Sequence, residues 1–204
     1  MRKVFYFLLV VAAFVSCKEQ DDTVEEFPNW IGYNDGYFSN LVADARAKRA
    51  AGDTSWELYP SYTKPAAGYT YATADYIVVQ KMANEGASSG SWELGRLNPI
   101  LTDTVRVHYV GQLLPSADKY KEKGMIFDRS YYGDFDPVVA TPIKFSVGSV
   151  VPGFATAVMR MEPGDHWRVY IPYQLGYGTV ARGSIPAGST LIFDLRLVKF
   201  WRKK

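Results

Sequence analysis

The chain has 204 residues, 48% hydrophobic, 15% aromatic and 22% charged, with 17 Gly, 11 Pro and one Cys. That length holds one domain with an appendage and a proper core. The aromatic content and the balance of 23 basic against 21 acidic residues exclude a disordered chain and leave no electrostatic footprint for nucleic acid. One Cys rules out a disulfide scaffold and a Cys-cluster metal site, and two histidines argue against a His-rich one, so no metal or cofactor is expected.

The chain opens with Arg2 and Lys3 followed by the apolar run Val4 to Val15. A bilayer-spanning helix needs about 20 apolar residues, so residues 1–16 read as a cleavable signal peptide rather than a span. Phe14-Val15-Ser16-Cys17 resembles a bacterial lipobox, which implies lipidation of Cys17 and an outer-membrane lipoprotein facing the periplasm or the surface. An ordinary signal peptide with an incidental Cys is the plainer alternative. Residues 17–26 form an acidic, solvated tether. Lys18-Glu19-Gln20-Asp21-Asp22 resembles the export signal of Bacteroidota surface lipoproteins, and the alternative is a simple spacer. At the other end, Lys199-Phe200-Trp201-Arg202-Lys203-Lys204 reads as a solvated strand end rather than a lipid-binding patch.

Residues 27–74 form an N-terminal extension with a short helix over Ser39–Ala51. Phe38, Leu41, Val42 and Ala45 share one face of it, Ser39 is placed to cap it, and Gly52 stops it. Trp56, Tyr59, Tyr62, Tyr69 and Tyr71, interleaved with Pro60 and Pro65, read as an aromatic loop region packed on the main domain, or as a glycan or peptide platform. From Asp75 the pattern becomes strands: Tyr76 to Met82, then a loop Asn84–Gly90, then Thr104 to Leu114. In the last of these, Val105, Val107 and Tyr109 alternate with Arg106, His108 and Val110. Trp167, Val169 and Ile171, and then Phe193, Leu195 and Leu197, repeat the alternation. Pro152 to Met161 is helical, with Phe154, Ala157, Val158 and Met161 on one face and Gly164 closing the segment. The sum is an α+β fold, a twisted antiparallel sheet over a short central helix, spanning residues 75–204.

The chain has no phosphate-cradling glycine motif, no zinc-binding H-E-x-x-H and no nucleophile elbow. His108 reads as a hydrogen-bonded structural residue and His166 as an exposed one. A reaction catalysed here would need no nucleophile.

Six segments occur in order: Val107-His108-Tyr109-Val110-Gly111, Phe127-Asp128-Arg129-Ser130, Pro142-Ile143-Lys144-Phe145, Val150-Val151-Pro152-Gly153-Phe154, Leu175-Gly176-Tyr177-Gly178, and Ile185 to Asp194. Together they resemble an FKBP-type peptidyl-prolyl cis-trans isomerase, and with the N-terminal features the chain is similar to Bacteroidota lipoproteins that carry such a domain behind a variable extension. The resemblance implies isomerisation of Xaa–Pro bonds in unfolded or exported polypeptides, without a cofactor. It implies a proline cup made of Tyr109, Phe127, Asp128, Ile143, Phe145, Val150, Val151, Phe154, Tyr177, Ile185 and Phe193. Phe154 would be the floor, the Val151 N–H and the Tyr177 hydroxyl would bind substrate carbonyls, and Asp128 would lie at the rim. Macrolide inhibitors would bind weakly, because Phe154 stands where the family often has Trp and Ile143 where an aromatic is common. Residues 129–141 exceed the compact family pattern and read equally as a substrate flap or an enlarged bulge. The alternative functions are a non-catalytic chaperone or proline-peptide module and a surface adhesin or glycan accessory. One short helix in the extension points to a monomer.

Overall fold

The computed structural model describes residues 24–83 and 98–202. The expected signal peptide, Cys17 and the expected loop at 84–90 lie outside the described residues. Seven strands form one antiparallel sheet: β1 (Trp56–Pro60), β2 (Tyr76–Lys81), β3 (Thr104–Gln112), β4 (Ile126–Arg129), β5 (Ile143–Ser146), β6 (His166–Ile171) and β7 (Leu191–Trp201). Their order is β1-β2-β6-β7-β3-β4, with β5 pairing the part of β3 that β4 leaves free. The expected α+β class is what the chain adopts.

The alternation read from the sequence sets the two faces. Register brings Val79 beside Val169, Val169 beside Phe193 and Phe193 beside Gly111, so Ile77, Val79, Val169, Phe193, Tyr109 and Val107 face one side together. Helix α2 (Pro152–Val158) lies on that side. Pro152 opens it, since its fixed φ suits a first turn. The helix ends at Val158, with Met159 as its C-cap, before the expected Met161. A Cβ on Gly153 would stand 2.2 Å from the Ile171 side chain, so glycine is what lets α2 sit this close to β6.

The extension differs from its sequence reading in two ways. Helix α1 spans Trp30–Ala50, so it starts nine residues before the expected Ser39, which lies inside it. Gly32 and Gly36 lie inside it, and a Cβ on Gly32 would fall 2.8 Å from the side chain of left-handed Asn29, the residue that precedes the helix. Burial of Trp30 and Asn34 outweighs the low helix propensity of the glycines. The second difference is β1, expected as loop, which pairs with β2 across Trp56↔Gln80 to Pro60↔Tyr76. Its aromatics alternate between faces: Tyr59 stacks on Trp167 at 5.9 Å and Trp56 on Tyr170 at 6.3 Å. Lys48 of α1 sits over the Trp56 ring, placing α1 on the sheet face opposite α2.

Glu26 was expected in a solvated tether. Instead its carbonyl accepts the Ala117 N–H at 3.1 Å, and its carboxylate accepts the Ser116 hydroxyl and the N–H groups of Lys119 (3.0 Å) and Tyr120 (3.3 Å). His166 is also corrected. It is buried in β6, opposite Arg196, with Nε2 3.0 Å from both Asp194 carboxylate oxygens. Burial pushes the Asp194 carboxyl up, but the His166 hydrogen bond and the neighbouring charges outweigh it and hold it below the usual range.

His108 is structural through packing rather than hydrogen bonding, because its buried Nδ1 has no partner. Its ring meets Phe135 at 5.0 Å and Tyr131 at 6.4 Å, both from the 130–142 segment. Arg196 stacks on Phe135 from beneath. The segment therefore crosses the α1 side of the sheet and, there, closes no flap over the opposite face. Among the described residues no helix is long and apolar enough to cross a membrane.

Burial, and then the Arg196 charge, push the His108 pKa down. A base whose folded pKa is depressed binds its proton more readily when unfolded, so stability is full above the unfolded value near 6.5 and is lost as pH falls below it. The melting temperature should drop between pH 7.5 and pH 5. His108→Leu should flatten that drop, and parallel curves for the two proteins would refute the assignment.

Candidate active site

Between the α2 face of the sheet and α2 lies a cavity of about 390 Å³, lined by side chains from β3, β4, β5, β7, α2 and two loops. Phe154, the only buried aromatic of α2, meets Phe193 at 5.0 Å, Phe145 at 6.1 Å and Tyr109 at 6.3 Å, each nearly perpendicular. Phe127 closes against Phe193 at 5.6 Å and 89°. Edge-to-face contact favours each pair, since it sets a positive ring edge against a negative face. It also leaves the cup unfilled. Gly111 makes room for two of these rings, because a Cβ there would lie 2.7 Å from Phe127 and 2.9 Å from Phe193.

One polar pair is set into this apolar wall. The Tyr109 hydroxyl donates to Asp128 Oδ2 at 2.7 Å, and Asp128 Oδ1 accepts the Arg129 N–H at 2.8 Å. The Tyr109 N–H donates to Ser130 Oγ at 2.9 Å, which fixes β3 against the end of β4. Burial, reinforced by the Asp128 hydrogen bond, lifts the Tyr109 phenol far above its ordinary range, so it remains a neutral donor at physiological pH. Among the described residues, neither the Tyr177 hydroxyl nor the Val151 N–H has an intramolecular hydrogen-bond acceptor, and both belong to residues lining the cup. The site thus offers two unengaged donors above an aromatic floor and no nucleophile.

Nine of the eleven residues singled out in the sequence surround this cavity: Tyr109, Phe127, Asp128, Phe145, Val150, Val151, Phe154, Tyr177 and Phe193. Ile143 does not line it and is 39% exposed on β5. Ile185 is buried behind it, exchanging two backbone hydrogen bonds with Arg182 at 2.9 and 3.0 Å. That bridge turns Arg182 inward, so that its guanidinium lies 5.6 Å from the Tyr177 ring and joins the lining. Ser149 joins as well. Neither was read from the sequence as a site residue. A cavity of about 480 Å³ beyond α2, lined by Pro60, Tyr62, Asn98 and Arg160 among others, is larger but has one aromatic wall and no carboxylate. Among the described residues no cluster of His, Cys, Asp or Glu could hold a metal ion.

The loop carrying Ile185 is held from outside the cup. Trp30 Nε1 donates to Ser189 Oγ at 2.8 Å, and Ser189 Oγ donates on to the Pro186 carbonyl at 2.7 Å. The Thr190 N–H donates to Asn34 Oδ1 at 2.7 Å, and Asn34 Nδ2 to the Trp30 carbonyl at 2.7 Å. Gly188, at φ 74°, touches Ile31 and gives its N–H to the Gly178 carbonyl, next to Tyr177.

A family model described as "FKBP-type peptidyl-prolyl cis-trans isomerase" matches residues 96–198. The chain is 37% identical over 102 residues to the "FKBP-type 22 kDa peptidyl-prolyl cis-trans isomerase" of Escherichia coli (strain K12), covering 50% of this chain and 43% of that protein. It is 36% identical over 107 residues to "Peptidyl-prolyl cis-trans isomerase Mip" of Coxiella burnetii, covering 52% and 40%. To "FK506-binding protein 1" of Aspergillus oryzae it is 35% identical over 103 residues, covering 50% and 86%. The chain spans less than half the length of the first two relatives.

Two substitutions test how the cup is built. Asn34→Ala leaves the buried Thr190 N–H without its acceptor and should destabilise the fold by about 1–3 kcal/mol, read by denaturant unfolding. Gly111→Ala should displace Phe127 and Phe193 and weaken binding of a proline peptide at least tenfold while the protein stays folded. Unchanged binding, measured calorimetrically, would show that the two rings do not form the wall.

Proposed function

The chain belongs to the FKBP-type peptidyl-prolyl cis-trans isomerase family, and from that premise we propose that it accelerates Xaa–Pro isomerisation in exported or envelope polypeptides. The observation that carries this reading is the Tyr109–Asp128 hydrogen bond inside a cup walled by Phe127, Phe145, Phe154 and Phe193.

Rotation about Xaa–Pro is opposed by a barrier of ~18–20 kcal/mol, because amide resonance stiffens the C–N bond. At the twisted transition state that resonance is lost, the carbonyl is less dipolar and the nitrogen is pyramidal. The apolar walls strip water from the planar amide, which loses more by it than the twisted form does. The Phe154 ring supports the pyrrolidine. The Val151 N–H and the Tyr177 hydroxyl bind carbonyls flanking the proline and hold the peptide in a turn that favours the twist. Both Asp128 oxygens are engaged, so this carboxylate orients Tyr109 and the rim rather than moving a proton. Uncatalysed isomerisation takes tens to hundreds of seconds and limits folding, which gives such an activity a use in an envelope.

The same reading includes export through residues 1–16, lipidation at Cys17 and a monomer held at the membrane. Macrolides of the kind named for the Aspergillus oryzae relative would bind weakly, with phenylalanine at the cup floor. A non-catalytic proline-peptide module is the competing reading, favoured by Ile143, which is exposed on β5 and outside the cup lining.

The test is a protease-free isomerisation assay on Lys18–Lys204, which contains every described element. Wild type should accelerate a peptide with a hydrophobic residue before Pro. Asp128→Ala and Tyr177→Phe should each lose about tenfold, equal to ~1.4 kcal/mol of transition-state stabilisation. Tyr177→Phe should leave melting unchanged, whereas Asp128→Ala should lower it, because the buried Tyr109 hydroxyl loses its acceptor. A folded wild type with no acceleration would leave the binding module standing.

A further inference from the structure

The sheet face opposite the cup is divided into three parts. α1 covers the β1 side through Trp56, and the 130–142 segment covers the centre through Phe135 over His108 and Arg196. The third part, where β5, β3 and β7 run side by side, lies beyond both. Register places Arg106 directly between Lys144 of β5 and Lys199 of β7, and Thr104 between Ser146 and Trp201. Like charges on neighbouring strands repel. Among the described residues none of the three cations has a carboxylate partner. Instead all three gather on one indole: the Trp201 ring centre is 5.0 Å from the Lys199 charge, 5.3 Å from Arg106 and 5.8 Å from Lys144. That indole is 40% exposed.

We propose that this face docks on an anionic lipid surface. Cations held together without counter-charges are complementary to a negative surface, in a chain whose overall charge is close to balanced. The occupant must also suit the exposed indole among them. An indole ringed by Lys and Arg matches a headgroup boundary, where the ring enters the apolar side and the cations stay with the phosphates. An acidic polypeptide or nucleic acid would pair the charges but leave Trp201 in water. The cations project from three adjacent paired strands of one sheet face, which suits a surface better than a chain. The strand-end reading of Lys199–Lys204 missed the patch because Arg106 and Lys144 lie far away in sequence and reach it only through strand pairing. Docking by this face leaves the cup on the opposite side of the sheet, open to polypeptide. The proposal needs neither the isomerase reading nor lipidation of Cys17.

Sedimentation of Lys18–Lys204 with phosphatidylcholine vesicles, with and without a minority of phosphatidylglycerol, tests it directly. Binding is expected to the anionic vesicles alone, with a blue shift of tryptophan emission, and is expected to vanish near 1 M salt, where screening acts within ~3 Å. Lys144→Ala and Lys199→Ala should each weaken it about fivefold and the pair about 25-fold, with unchanged melting. Trp201→Phe should lose the blue shift. Failure to bind anionic vesicles, or equal binding by wild type and the double variant, overturns the proposal. Binding of polyglutamate or an oligonucleotide without vesicle binding also overturns it and assigns the patch to an acidic polymer.

Discussion

The cup depends on how near α2 lies to the sheet. The helix has seven residues, too few to persist in water, so its existence rests on packing. Gly153 admits the approach by presenting no Cβ to Ile171, and the next residue, Phe154, then reaches the centre of the concave face. A helix set farther out would lift Phe154 away from Phe193 and leave a wet cleft. At the observed distance the Phe154 ring meets Phe193, Tyr109 and Phe145 edge to face. Rings packed this way cannot close up, so the cavity follows from the packing itself. Burying a ring of this size is worth about 1.5–3 kcal/mol, which makes the same contacts the source of the helix's stability and the wall of the site.

A second support comes from the chain's beginning. α1 lies against the outer face of the sheet, yet Trp30 and Asn34 reach the loop that carries Ile185 and turns Arg182 toward Tyr177. Buried hydrogen bonds of this kind contribute modestly when made and cost more when one partner is removed. The cup rim is therefore held on both sides, by α2 from within and by α1 from behind. The reverse face has its own division of labour. Aromatic cover protects the His108 and Arg196 pair at the centre, whereas the basic end around Trp201 lies outside that cover.

How much of this was legible follows from what each signal measures. Strand alternation in Thr104–Gln112 and Leu191–Trp201 reports a half-buried ladder directly, so the long strands and the ring-bearing face could be read in advance. The start of α1 could not. Gly32, Gly36 and Asn29 carry loop propensities, and the bonds that override them run to Ser189 and Thr190, more than 150 positions away. β1 was hidden for a similar reason, since five residues ending in Pro60 acquire strand character only from pairing with β2. His166 looked exposed beside Gly164-Asp165, and only the neighbouring strand supplies Asp194. The cup shows the same split. Nine lining residues lie in motifs that name them, while Ser149 and Arg182 enter through backbone geometry and Ile143 and Ile185 leave by it.

The capture of Glu26 by the 116–120 loop fixes where mechanical tension enters the molecule. A pull on the chain from residues before Val24 meets first the carbonyl of Glu26 against Ala117 and its carboxylate against Ser116, Lys119 and Tyr120. That loop hangs from the end of β3, the strand paired along its length with β7. Tension is thus shared with the loop that leads out of β3, the strand in the longest ladder of the sheet, before it reaches the first turn of α1. The Trp30 and Asn34 bonds that brace the rim lie downstream of this clamp. Those bonds are in this way shielded from tension on the chain ahead of Glu26.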